Sequence, residues 1–235
     1  RPTWLSDFIN GDHSFYSFNL NYQELMQLVD LGYIKELSPK LLGQMVPWQI
    51  RIRSSNSKEE ETFDSSPLLK REITLKEHIW YVFEYESNLG YLDDCAKRAY
   101  KEGITVQDES FSAILYRFSL DGHLDRNRLL RATLSTFNRS FKKDMVNWFA
   151  GLFEELQPRA EELISLQEEI MQVFTSPYTK PVNVMLQQLK KIASEGGFRY
   201  QEFIERATTL FFSSPKNSLL TIYSIFEQIV AGHPE

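Results

Sequence analysis

An internal spacing of 37–38 residues constrains this chain more than any other feature. Phe174-Thr-Ser-Pro177 and Phe212-Ser-Ser-Pro215 share one pattern 38 residues apart. Phe137-Asn-Arg-Ser140 stands 37 residues before the first of these, and Tyr100 stands 37 before Phe137. Each aromatic closes a run of helical period; a short polar break and a new run follow. At the same offset, Leu186, Leu189 and Ile192 correspond to Tyr223, Phe226 and Ile229. One unit therefore reads as a helix, a short loop and a second helix, the pattern of stacked hairpins. The period falls between about 34 residues for tetratricopeptide units and about 40–47 for HEAT or armadillo units. With no tetratricopeptide signature present, the expected fold is all-α, a HEAT-like superhelix of right-handed stacked hairpins. The competing reading is a non-repetitive helical domain whose helices have similar lengths.

The individual runs support helices. Val182, Met185, Leu186, Leu189, Ile192 and Ala193 form an amphipathic stripe, with Pro181 in the first turn and Gly196-Gly197 as a stop. Leu163, Leu166, Ile170 and Val173 mark another helix, opened by Pro158, and Phe203, Ala207, Leu210 and Phe211 a third. Asp125 is the expected N-cap of a helix carrying Leu129, Leu130, Thr133, Leu134 and Phe137. Only 10 Gly and 9 Pro argue against an all-β chain with many tight turns. In the last run, the apolar residues from Leu219 to Val230 spread over roughly 220° of the helix, wider than a one-sided stripe. A terminal hairpin should be polar outside, so the array is expected to continue in a longer parent. The start at Arg1, without Met, fits the same expectation.

The first third is less regular. Tyr22–Leu31 and Leu41–Trp48 read as short helices, and Trp48-Gln-Ile-Arg-Ile-Arg53 alternates like a strand or is an irregular helical extension. Ile79–Tyr85 is a near-continuous apolar run, expected as buried helix. Residues 54–67 have one Phe and no aliphatic residue, the composition of an exposed loop or mobile linker. The expected organisation is 1–53 short helices, 54–67 linker and 68–235 helical stack.

Chemistry-bearing residues are sparse. His13, His78, His123 and His233 are scattered, and no His, Cys and acid cluster has metal-ligand spacing. The single cysteine, Cys95, excludes an internal disulfide and follows two aspartates, a poor setting for a nucleophilic thiol. No Gly-rich phosphate loop or nucleophile elbow occurs, so neither cofactor nor metal is expected. Charge is the more informative signal. Arg126, Arg128, Arg131, Arg139, Lys142 and Lys143 give +6 over 126–143 with no acid, whereas Glu154-Glu155, Glu161-Glu162 and Glu168-Glu169 recur every seven residues. Neighbouring helices of opposite charge predict inter-helix complementarity. The alternative is a basic ridge for a protein partner or nucleic acid. Asp144 and Trp148 are one turn apart beside that ridge, as in the HEAT-like DNA glycosylases, which would make them a catalytic pair. Met145, Trp148, Phe149 and Leu152 also form a core stripe that would claim Trp148. A net charge of −6 disfavours broad phosphate tracking.

The stretch Leu120-Asp-Gly-His-Leu-Asp-Arg-Asn-Arg-Leu-Leu-Arg-Ala-Thr-Leu134, through Phe137 and Phe141, carries a family resemblance, joined by Leu156-Gln-Pro-Arg-Ala-Glu-Glu-Leu163. It resembles a bacterial domain of unknown function found in large helical-repeat proteins, over roughly residues 108–230. The resemblance implies a bacterial origin, a HEAT-like stack and a longer parent, and carries no catalytic signature. Together these readings lead to a protein-interaction or scaffold module without intrinsic catalysis. Its partner would be a protein and its setting cytoplasmic, with no membrane span. The alternative is a nucleic-acid-binding module, with glycosylase-like activity through Asp144 and Trp148.

Overall fold

The computed structural model describes residues 3–11, 20–53, 61–103, 109–212 and 215–232. Thirteen α-helices and one two-stranded sheet occur among them, so the fold is mostly helical, as the periodicity predicts. The chain divides into two compact units, 1–124 and 125–235.

In the first unit, α1 is Thr3–Asn10, α2 Tyr22–Asp30 and α3 Pro39–Met45. The side chain of Asn21 caps α2 in a reciprocal box with Glu24, and Ser38 caps α3. A 3-10 turn, Pro47–Ile50, then leads into β1 (Arg51–Arg53), which pairs antiparallel with β2 (Glu61–Phe63) in the register Arg51↔Phe63. The alternation over 48–53 thus yields a strand in its second half. Its partner lies within the stretch expected as an exposed loop, where Phe63 is buried and gives β2 an anchor. Residues 54–60 of that stretch lie outside the described residues.

Next come α4 (Ser66–Leu69), α5 (Glu72–Lys76) and a 3-10 helix, His78–Phe83, where the apolar run predicts buried helix. Ile79, Trp80, Val82 and Phe83 are buried, but a continuous apolar run does not distinguish the tighter 3-10 winding from α. This turn packs against α3. Beneath it, the buried Tyr22 hydroxyl bonds both Thr74 Oγ1 (3.0 Å) and His78 Nδ1 (2.8 Å). Burial pushes the Tyr22 phenol up and the His78 imidazole down, which favours the neutral form of each.

The unit closes with α6 (Leu89–Lys101) and α7 (Phe111–Leu120). Asp93 of α6 is buried, and its carboxylate accepts from the Phe111 and Ser112 N–H groups at 2.6 and 3.4 Å, supplementing the Ser110 cap. A buried anion at a helix N-terminus meets both the orphan donors and the helix dipole. Asp93→Ala is expected to cost about 1–2 kcal/mol and to speed amide exchange in the first turn of α7. Unchanged exchange there would show that the carboxylate contributes nothing to the cap.

The second unit contains α8 (Arg126–Ser135), α9 (Lys143–Glu155), α10 (Ala160–Gln172), α11 (Thr179–Lys190), α12 (Tyr200–Ala207) and α13 (Lys216–Gly232). Asp125 caps α8 by accepting from the Arg128 N–H at 2.6 Å, as its position predicts. Each of α8, α10 and α12 ends in a 3-10 turn, at Thr136–Asn138, Val173–Thr175 and Thr208–Phe212. Phe137 and Phe174 sit buried in the first two. The third includes Phe212, whose side chain is outside the described residues, as are Ser213 and Ser214. Tyr100 is the penultimate residue of α6 but is 48% exposed and belongs to the first unit. In this unit α8 packs on α9 and α10, and α11 packs on α9, α10 and α13.

Candidate functional site

The basic residues of 126–143 divide by what they touch. Arg126, at the start of α8, donates from Nε to Glu162 Oε1 (2.7 Å) and from a terminal nitrogen to Oε2 (3.1 Å). That nitrogen also reaches the carbonyls of Leu156 (2.8 Å) and Gln157 (3.3 Å) at the end of α9. Gln157 adopts φ +46°, a left-handed turn that separates α9 from α10. One guanidinium thus joins the ends of three helices. Partial burial alone would raise the Glu162 carboxyl. Hydrogen bonds from Arg126 and from the Arg159 N–H and guanidinium outweigh it and hold the group at about 2.

Further along α8, Arg131 pairs with Glu169, and Arg199, just before α12, pairs with Glu168 at 3.3 Å. The doubled glutamates of α10 therefore face two ways. Glu162 and Glu169, at the edge of the apolar stripe, meet α8, whereas Glu161 is exposed. Opposite charge on neighbouring helices forms inter-helix ion pairs here for Arg126 and Arg131.

Arg128 and Arg139 are exposed, as are Lys142 and Lys143 where α9 begins. Two depressions adjoin Arg139 and Lys143. One of about 460 Å³ lies between the turns 137–141 and 175–178; there the Tyr178 hydroxyl donates to the Phe141 carbonyl at 3.4 Å. The other, about 670 Å³ and open, runs between α9 and α11 and is lined by Lys143, Asn147, Glu154, Lys180, Asn183 and Gln187, among others. Beyond it, Ser218 of α13 donates to Asn183 Oδ1 (2.5 Å), and Gln187 donates to Thr221 (3.0 Å).

Of these residues the charge pattern of the sequence singles out Lys143 but not Asn147, Lys180, Asn183 or Gln187. On one helix each reads as an ordinary solvent-facing residue. Their one signal is that Lys180 follows Lys143 by 37 residues, the spacing of the aromatic landmarks.

Asp144 and Trp148 line neither depression. Asp144 is exposed, and Trp148 is partly buried, edge-on to Phe149 with ring centroids 5.1 Å apart. They lie about 100° around α9 from Lys143 and Asn147, so the groove and this pair occupy different strips. Among the histidines, His123 packs edge-on to Phe118 and His78 is bound to Tyr22; His13 and His233 lie outside the described residues. Cys95 is buried, with an Arg98 nitrogen 3.3 Å from its sulfur. Among the described residues, no group of three or more His, Cys, Asp or Glu could hold a metal ion, and no helix is long and apolar enough to cross a membrane.

These features define a mostly helical protein in whose second unit arginine–glutamate contacts tie α8 to α10. The chain belongs to the family described as domain of unknown function DUF6493, whose model matches residues 1–217. The match extends through the first hundred residues, which the sequence resemblance over 108–230 does not reach, and ends at 217 rather than 230. No curated protein and no solved structure matches the chain.

Proposed function

We propose that this chain is a protein-interaction or scaffold module, its second unit a HEAT-like stack of hairpins, from a bacterial helical-repeat protein acting in the cytoplasm. The observation that carries the reading is apolar exposure on the last hairpin. Leu220, Tyr223 and Val230, on one strip of α13, are large and exposed there, as are Ile204 and Phe211, and contiguous exposed apolar side chains mark binding surfaces. The packing of α8 on α9 and α10, and of α11 on α9, α10 and α13, supports the hairpin stack. Against a polyanion surface, Arg126 and Arg131 are engaged by carboxylates of their own unit.

The test pairs cross-linking capture, followed by reconstitution with the purified captured protein, with fluorescence polarisation of a labelled DNA duplex. The expected result is a stoichiometric protein complex that survives moderate salt, as apolar contacts do. Duplex binding that falls steeply between about 50 and 200 mM salt, with no protein complex, would overturn the reading. Excision of an alkylated base, abolished by Asp144→Asn, would replace it with the glycosylase.

A further inference from the structure

The outer strip of α13 carries a symmetric pattern of charged and apolar residues. Its exposed residues include Lys216, Leu220, Tyr223 and Glu227, spaced four, three and four apart, with Val230 continuing the strip. On a helix these positions form one narrow seam. Leu220 is 57% exposed and Tyr223 63%, while Ile222, Ile225 and Ile229 on the opposite side are buried. The seam thus has an apolar centre flanked by one cation and one anion. Lys216 and Glu227 are eleven residues, about 16 Å, apart along the axis, too far to pair within one helix.

The four-three-four spacing reads the same in both directions. An antiparallel copy of α13 therefore sets Lys216 against Glu227 of the other copy, and Leu220 against its Tyr223, in four successive layers. A parallel copy would set lysine on lysine and glutamate on glutamate, which is repulsive. We propose that two copies of this chain pair through α13, antiparallel, about a two-fold axis between Thr221 and Ile222. This deepens the protein-interaction reading and rests on it, naming a second copy as one partner. Closed two-fold pairing is the commonest form of self-association. A four-layer seam is at the small end of specific interfaces, so the dimer is weak, with a dissociation constant on the order of 10–100 µM.

Sedimentation equilibrium of the 235-residue chain up to about 500 µM tests this. The expected result is a monomer–dimer equilibrium, weakened at least tenfold by Lys216→Glu alone or Glu227→Lys alone. The two single variants mixed should associate more tightly than either alone, because both charge layers are then attractive. The double variant, with the charges exchanged, should return to within about threefold of the parent. Its recovery separates a seam effect from misfolding, with circular dichroism as a further check. A chain that stays monomeric throughout, or a dimer indifferent to these exchanges, would overturn the proposal. Monomeric chain that still binds its captured protein refutes self-pairing and leaves the interaction reading intact. Dimer that binds only DNA does the reverse.

Discussion

Replacing Glu162 with alanine is expected to destabilise the second unit by about 3 kcal/mol. Removing one partner of a buried ion pair costs roughly 3–5 kcal/mol, because the remaining charge is left without its compensating hydrogen bonds. Arg126 and Glu162 are each 16% exposed, which places this pair at the lower end. Arg126 would keep the Leu156 and Gln157 carbonyls but lose both carboxylate oxygens. Glu162→Gln, which retains an acceptor, should cost about half as much. The neighbouring Arg131–Glu169 pair is 46% and 32% exposed, so breaking it should cost no more than about 1 kcal/mol.

The same pair sets an acid dependence. The Glu162 carboxyl is held at about 2 in the folded chain against 4.5 unperturbed, so on acidification the unfolded chain takes up the proton first. The stabilisation is complete above about pH 4.5 and drains away as pH falls toward 2. A difference of that size corresponds to roughly 3 kcal/mol, which agrees with the alanine figure. Urea titrations of the parent and Glu162→Gln between pH 6 and 2 should differ in slope within that window, with amide exchange assigning the loss to α8 and α10. Identical slopes would show that the pair contributes no stability.

Gly43→Ala should cost the first unit about 2–3 kcal/mol, although alanine is the better helix former by about 1 kcal/mol. Gly43 is buried in α3 against the 3-10 helix His78–Phe83. A Cβ there would stand 2.6 Å from the Tyr81 carbonyl oxygen and 3.0 Å from its carbon. Both are backbone atoms, so no side-chain rotation relieves the contact, and the two helices must separate. Overpacking of this kind costs about 1–3 kcal/mol and here outweighs the propensity gain. Gly90, exposed in the first turn of α6, is the internal control, because its added Cβ meets nothing within 4 Å. Gly90→Ala should be neutral or stabilising by up to about 1 kcal/mol. If the two substitutions shifted the unfolding midpoint equally, close packing of α3 on the 3-10 helix would not be what requires glycine.

The unequal legibility of these sites has a physical origin. Asp125 was readable because a capping residue acts on N–H groups two or three positions away, so its partner lies in the same short string. The stripes in α8, α10 and α11 were readable because burial on one face imposes a period. The Arg126–Glu162 contact was foreseeable only as general charge complementarity. Which arginine meets which glutamate depends on the rise of two helices and on the left-handed turn at Gln157. Gly43 gives no sequence signal, since its requirement is the Tyr81 carbonyl 38 positions away. The His78–Phe83 turn shows a different limit. Its hydrophobicity was visible, but 3-10 and α windings bury such a run equally well, and the contact with α3 goes with the tighter one.

The sequence by itself determined that this protein is mostly helical, where most helices after residue 110 begin and break, and which faces turn inward, because all three follow from local periodicity and capping. Tertiary structure alone decided the pairing of β1 with β2, the helices that Arg126 joins and the residues that line the groove between α9 and α11. It also decided which side of α13 stays exposed. The sequence showed an apolar surface wider than one stripe; in the fold, where α13 packs on α11, Ile222, Ile225 and Ile229 are buried and Leu220, Tyr223 and Val230 are exposed. Hydrophobic periodicity reports how much of a helix is apolar; only the position of its neighbours determines which part is covered.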